Sequence, residues 1–233
     1  MRVVFVFLFS LFIVFVKAQN QDGPYYQLIN LKIQDENFFI KHNSSEEHYI
    51  NRAVLKGELG KYEDAIKDCD TAIEINSKNA NCYFERGFLY GKQNKFKEAV
   101  RDYDEGIELN PAEAEEYYNR GVINMNLKRR RKAIKDYTKA IKLKPNYTEA
   151  YNNRGFLKAK MKKYSEAFED YNKAIELSPE YSEAYNNRGR LKLNLEDYDG
   201  SICDFQIAIR LNTNEPLYKN NLKLAQEKLQ KKK

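Results

Sequence analysis

The chain has 233 residues, 42% hydrophobic and 32% charged, with 10 Gly, 5 Pro and no Trp. That apolar share excludes wholesale disorder, and 18 Tyr with 13 Phe supply material for a core. Three Cys exclude a disulfide-stapled scaffold, and two His (His42 and His48) leave little for metal or acid–base chemistry. The net charge of +6 describes a mildly basic surface rather than a polyanion binder.

Residues 1–18 have the pattern of an export signal. Arg2 supplies the positive start, Val3 to Val16 is apolar apart from Ser10, and Val16-Lys17-Ala18 offers small residues at a cleavage site. The apolar run is shorter than the roughly 20 residues a spanning helix needs. A signal peptide is therefore expected, with no permanent span after cleavage and a mature chain starting near Gln19. Such a chain works outside the cytoplasm, as a periplasmic, secreted or secretory-pathway protein. In an oxidising compartment Cys69 and Cys82 still flank a helix–helix turn out of register, so buried free thiols are expected at Cys69, Cys82 and Cys203.

Residues 19–45 are expected to form a partly helical cap. Tyr25, Leu28, Ile29 and Ile33 have helical spacing, and Phe38, Phe39 and Ile40 are placed to seal the first helical hairpin. Ser44 with Glu47 three residues on has the form of a capping box.

From Glu46 the chain repeats every 34 residues without insertion, in units 46–79, 80–113, 114–147, 148–181 and 182–215. Position 4 of each unit is Tyr (Tyr49, Tyr83, Tyr117, Tyr151, Tyr185) and position 28 is Ile. Positions 8, 20 and 27 are small throughout, and position 24 is aromatic in four units and Cys69 in the first. This spacing puts the apolar residues on one face of each of two helices per unit. Pro111, Pro145 and Pro179 at position 32 separate consecutive units. A two-helix unit this small buries little core alone and depends on stacking against its neighbours.

The pattern resembles the tetratricopeptide repeat family over about 170 of the residues. The resemblance implies an all-α fold: a tandem helix-turn-helix solenoid, a right-handed superhelix of five units closed by a C-terminal capping helix. Tyr at position 4, Arg130 at position 17, and Ser77 and Thr213 at position 32 depart from the family's usual residues. Residues 216–233 start in phase with a sixth unit and run into a Lys tail, as expected of that cap.

Position 7 is always Arg (Arg52, Arg86, Arg120, Arg154, Arg188) and position 23 always Asp (Asp68, Asp102, Asp136, Asp170, Asp204). Both lie eight residues from the hairpin turn, so an Arg–Asp pair is expected inside each hairpin. A matched carboxylate for every arginine disfavours a row of arginines gripping an anionic ligand.

The first helix of each unit lines the concave side of such a solenoid, with positions 2, 5, 6, 9 and 13 as its exposed stripe. The groove residues are then Ile50, Asn51, Val54, Phe84, Phe88, Tyr118, Asn119, Val122, Asn153, Phe156, Asn187 and Arg190. They give a surface apolar in the first three units and polar in the last two. Exposed aromatics without core duty point to a protein or peptide partner, and amides at position 6 suit an extended backbone. Packing of the apolar half against residues 19–45, or incidental exposure, are the plainer readings. Position 5 holds no Lys and position 9 no Asn, so the carboxylate clamp that some family members use for a partner's C-terminus has no counterpart.

Lys128-Arg129-Arg130-Arg131-Lys132 falls at the third hairpin turn, where a solvated turn is the simpler reading than contact with nucleic acid or anionic lipid. Asn43 and Asn146 head Asn-x-Ser/Thr sequences, glycosylation acceptors in a eukaryotic host. No phosphate loop, paired-Cys motif or metal spacing is present, so neither an enzyme nor a cofactor is indicated. The expected role is a scaffold or adaptor holding a peptide or protein segment, with self-assembly into a homo-oligomer as the alternative.

Overall fold

A computed structural model describes residues 23–232; the signal-peptide expectation lies outside the described residues. Among these, twelve α-helices and no strands are present. They are α1 (Pro24–His42), α2 (Glu46–Glu58), α3 (Tyr62–Ile75), α4 (Ala80–Lys92), α5 (Phe96–Leu109), α6 (Ala114–Asn126), α7 (Arg130–Leu143), α8 (Thr148–Lys160), α9 (Tyr164–Leu177), α10 (Ser182–Asn194), α11 (Tyr198–Leu211) and α12 (Pro216–Lys232). The chain divides after Leu109 into two compact units, α1–α5 and α6–α12. Within each unit the helices pair as antiparallel hairpins, α2/α3 and α4/α5 in the first, α6/α7, α8/α9 and α10/α11 in the second.

Every hairpin turns in the same way. Gly60, Asn94, Lys128, Lys162 and Glu196, all at unit position 15, have left-handed backbone with φ of 74°, 58°, 59°, 61° and 62°. The next amide returns to a carbonyl five residues back, as in Arg129 N–H to Asn124 O and Lys163 N–H to Lys158 O. This satisfies the end of the first helix before the chain reverses. Four of the five turns accept a side chain where glycine would be easiest.

Packing inside the hairpins explains the small residues. Tyr103, Tyr137, Tyr171 and Phe205 at position 24 are at most 1% exposed, and their rings cross the glycine at position 8 of the partner helix. A Cβ at Gly121 would lie 2.7 Å from the Tyr137 ring, and one at Gly189 2.9 Å from Phe205. The first hairpin makes the opposite choice. It has Ala53 at position 8 and the small Cys69 at position 24, both fully buried in one cluster with Ala65, Ile66 and Leu89. Methyl and ring are thus exchanged as a pair, which keeps the interior filled.

The terminal helices differ from expectation in detail. The N-terminal segment is one continuous helix, and Ile29 rather than Phe38 or Phe39 seals the first hairpin. Ile29 is 3% exposed, whereas Phe38 and Phe39 are 59% and 45% exposed. Phe39 stacks on the His48 ring at 5.1 Å and His48 Nδ1 meets Glu36 at 2.9 Å, so α1 is held partly by polar contacts. The capping box does not form: α2 begins after Ser45, with no side-chain cap bond. At the other end, Tyr218 and Ala225 bury one face of α12, which packs on α11. Cys69 and Cys82 are buried thiols, but Cys203 is exposed, because it lies on the solvent side of α11 next to the buried Asp204. Burial pushes the Cys82 thiol up to about 11 and raises that of Cys69 as well.

Candidate functional site

The first-helix faces are framed by the Arg–Asp pairs. In each hairpin the arginine makes a two-point bond to its aspartate, Nε to one oxygen and Nη2 to the other. The Nη2 contacts are 2.6 Å for Arg52–Asp68, 2.8 Å for Arg86–Asp102, 2.6 Å for Arg120–Asp136, 2.6 Å for Arg154–Asp170 and 2.7 Å for Arg188–Asp204. The aspartates are buried, and each guanidinium also lies over the position-4 tyrosine one turn earlier, as Arg154 does over Tyr151 at 5.4 Å. The remaining Nη1 reaches back one repeat. Arg86 bonds Asp70 at 2.6 Å, Arg154 bonds Thr138 at 3.2 Å and Arg188 bonds Asn172 at 2.7 Å. One arginine therefore ties a hairpin together and ties it to its predecessor. The hydrogen bonds Arg86 donates to Asp102 and Asp70 raise its pKa further above its already high value. Planar two-point geometry of this kind selects arginine over lysine.

The predicted groove residues separate into three groups. Phe84 does not face solvent. It is 6% exposed, lies against Gly106 and stacks near Tyr103 at 6.4 Å. Position 5 is an interior position in the later repeats too, where Asn152 and Asn186 are both 4% exposed. Phe84 is covered by the second helix of its own hairpin, through Tyr103 and Gly106, whereas Asn152 and Asn186 meet the first helix of the next repeat and α12, through Asn187 and Asn221.

A second group is taken up by its neighbours within the second unit, Asn153, Asn187 and Tyr118 through bonds between repeats. Asn153 Nδ2 donates to Tyr118 Oη at 3.1 Å, Asn187 to Asn152 Oδ1 at 3.0 Å, and Asn221 of α12 to Asn186 Oδ1 at 2.8 Å. These amides bind the neighbouring repeat rather than waiting for a peptide. Asn119 donates to Glu116 at 3.2 Å. Tyr118 also packs on Tyr137 and Tyr147, at 5.7 and 4.9 Å, and burial raises its hydroxyl to about 12. Val122 and Phe156 are half-buried against the cluster of Ala133, Tyr137 and Leu157. Arg190 is half-buried in α10.

The third group is open. In the first unit Val54 is 39% exposed and Phe88 40%, both at position 9, with Lys92 Nζ over the Phe88 ring at 4.8 Å. Asn51 beside them is exposed and Ile50 half-buried. In the second unit the open polar groups are Glu115, Glu149 and Glu183, at position 2 of each first helix, beside the tyrosines. Glu116, one residue on, is partly buried. Loss of water and the neighbouring Glu115 and Glu113 lift it to about 7, against the Asn119 bond that lowers it.

Sequence reasoning did not single out Tyr147 and Tyr181, at unit position 34. Tyr181 Oη accepts from Asn152 at 3.5 Å, and Tyr147 covers Tyr118. Paired asparagines at positions 5 and 6 of two units, repeated at Asn220-Asn221, were the available signal for the amide chain.

The repeat geometry is matched by known families. A tetratricopeptide repeat model matches residues 80–112, 114–147 and 148–181, another matches 170–202, and a TPR repeat model matches 58–94. The chain belongs to the tetratricopeptide repeat family. Solved TPR structures share its fold. That of YrrB, a TPR protein with an unusual peptide-binding site, has a TM-score of 0.68 at 23% identity, covering 81% of this chain and 97% of that one. MamA gives 0.65 at 23% identity, covering 69% and 94%. Cut9-Hcn1, an APC/C hetero-tetramer, gives 0.68 at 19%, covering 86% of this chain and 41% of that one. No curated protein matches the chain.

Proposed function

We propose that this TPR chain is a non-catalytic adaptor that holds a peptide or protein segment on its first-helix faces, and that residues 1–18 direct it out of the cytoplasm. The observation that carries the reading is the exposure of Phe88 and Val54. Val54 and Phe88 are the large apolar side chains of α2 and α4 that stand exposed, at 39% and 40%, and Phe88 carries Lys92 over its ring. An uncovered aromatic with a cation over its face suits an apolar side chain flanked by an acidic one. A peptide library screened against the chain from Gln19, and against V54S/F88S, tests this. Selected sequences should carry an apolar residue next to Asp or Glu, and the double variant should lose them. Equal selection by both proteins would refute the site.

Self-assembly is the second reading, and α1 favours it. Leu28, Leu31 and Phe38 are 50%, 58% and 59% exposed along one helical stripe. Sedimentation of L28S/L31S/F38S beside the parent chain decides: a monomer in both removes the oligomer.

A further inference from the structure

The hairpin turns of the second unit are not alike in charge. Those of its first two hairpins hold Lys128-Arg129-Arg130-Arg131-Lys132 and Lys160, Lys162 and Lys163, whereas its third holds Glu196 and Asp197. All of the residues from Lys128 to Lys132 are exposed, and among the described residues none of the five is paired with a carboxylate. Their placement also opposes the helix they start. Arg130, Arg131 and Lys132 fill the first turn of α7, which has no acidic residue and no side-chain cap. The corresponding turns of α9 and α11 carry Glu166 and Asp199, as the helix dipole favours. Three cations at the positive end of a helix are unfavourable for folding, and among the described residues no carboxylate pairs with them.

We propose that this double turn docks on an anionic lipid bilayer. The five side chains border an open depression of about 430 Å³ whose remaining wall is Met161. No aromatic ring lines it, so it offers no stacking platform for nucleic-acid bases. A single thioether also gives little grip on an amphipathic peptide. The five unpaired cations from Lys128 to Lys132, with Lys160 and Lys162 on the next turn and Lys163 held there by Glu166 at 2.9 Å, can meet a plane of phosphate and carboxylate headgroups together, and clusters of this size bind such surfaces.

Vesicle co-sedimentation tests the proposal, using the chain from Gln19, because residues 1–18 would partition into lipid of either charge. Phosphatidylcholine vesicles with and without phosphatidylserine are compared for the parent, R129Q/R130Q/R131Q, and K228Q/K231Q/K232Q, which removes equal charge from the end of α12. The parent should bind only the anionic vesicles and release them at about 0.5 M salt. The arginine variant should bind on the order of a hundredfold more weakly. The lysine variant should change about twofold, and thermal unfolding should show the arginine variant at least as stable as the parent, since it removes cations from the positive end of α7. Equal binding to neutral vesicles, or equal loss in both variants, overturns the proposal. So does preference for duplex DNA or a polyglutamate peptide over the anionic vesicles.

Discussion

Asn187 donates through Nδ2 to Oδ1 of Asn152, thirty-five positions earlier, at 3.0 Å. The same step recurs from Asn221 to Asn186, and from Asn153 to the Tyr118 hydroxyl. An amide row that would suit a bound peptide backbone is instead a chain of bonds between repeats. Because Asn152 is buried and Asn187 only half so, their costs should differ. N152A should destabilise by about 2 kcal/mol and N187A by about 1, with a coupling near 1 in the double variant. Urea unfolding of the three variants measures this. An N187A protein as stable as the parent would return that amide to the list of free binding groups.

The Arg–Asp pairs are alike in geometry but not in support. Asp170 keeps a second cation, Lys158 Nζ at 2.9 Å, whereas Tyr90 stands at the equivalent place beside Asp102. R86A leaves a buried carboxylate without a counter-charge and should cost about 3 kcal/mol; R154A should cost nearer 1 to 2. Chemical denaturation midpoints of the two variants give the comparison.

Phe84 and Phe88 are one turn apart and do different things. F84S removes a ring packed on Gly106 and should cost about 3 kcal/mol or more. F88S touches an exposed ring and should stay within about 0.5 kcal/mol. Thermal melts separate the core residue from the binding one before any ligand is added.

Glu116 makes stability depend on pH. Its pKa is raised from the ordinary 4.5 to about 7 in the folded chain, chiefly by burial, so the folded form holds a proton that the unfolded form has released. Stability is then highest below the ordinary value, and falls as pH rises from about 4.5 to about 7, by 1–3 kcal/mol. Melting temperatures across that window should decline for the parent. E116Q should flatten that part of the profile and melt higher at pH 7.5.

The repeat, its two-helix units and the ion-pair register were all legible in the residues. The reason is that a 34-residue period, a constant distance of Arg and Asp from each turn, and small residues facing rings are local constraints that every unit states again. The pairing of Ala53 with Cys69 against Gly with Tyr or Phe shows the same logic: a departure at one position is answered at the other.

What periodicity could not decide was how much of a first helix its neighbours cover. Positions 5, 6 and 9 lie within little more than a quarter-turn of one another, about 100° per residue. A small tilt of the adjoining helix moves the boundary between core and solvent across all three. Tertiary packing therefore put Phe84, Asn152 and Asn186 inside, spent Asn153 and Asn187 on their neighbours, and left Val54 and Phe88 in the open. The same holds for α1, whose apolar residues lie on more than one side, so only docking against α2 chose Ile29 over Phe38 as the buried contact. Sequence fixes which side chains a helix offers; burial depends on the angle at which the next helix arrives.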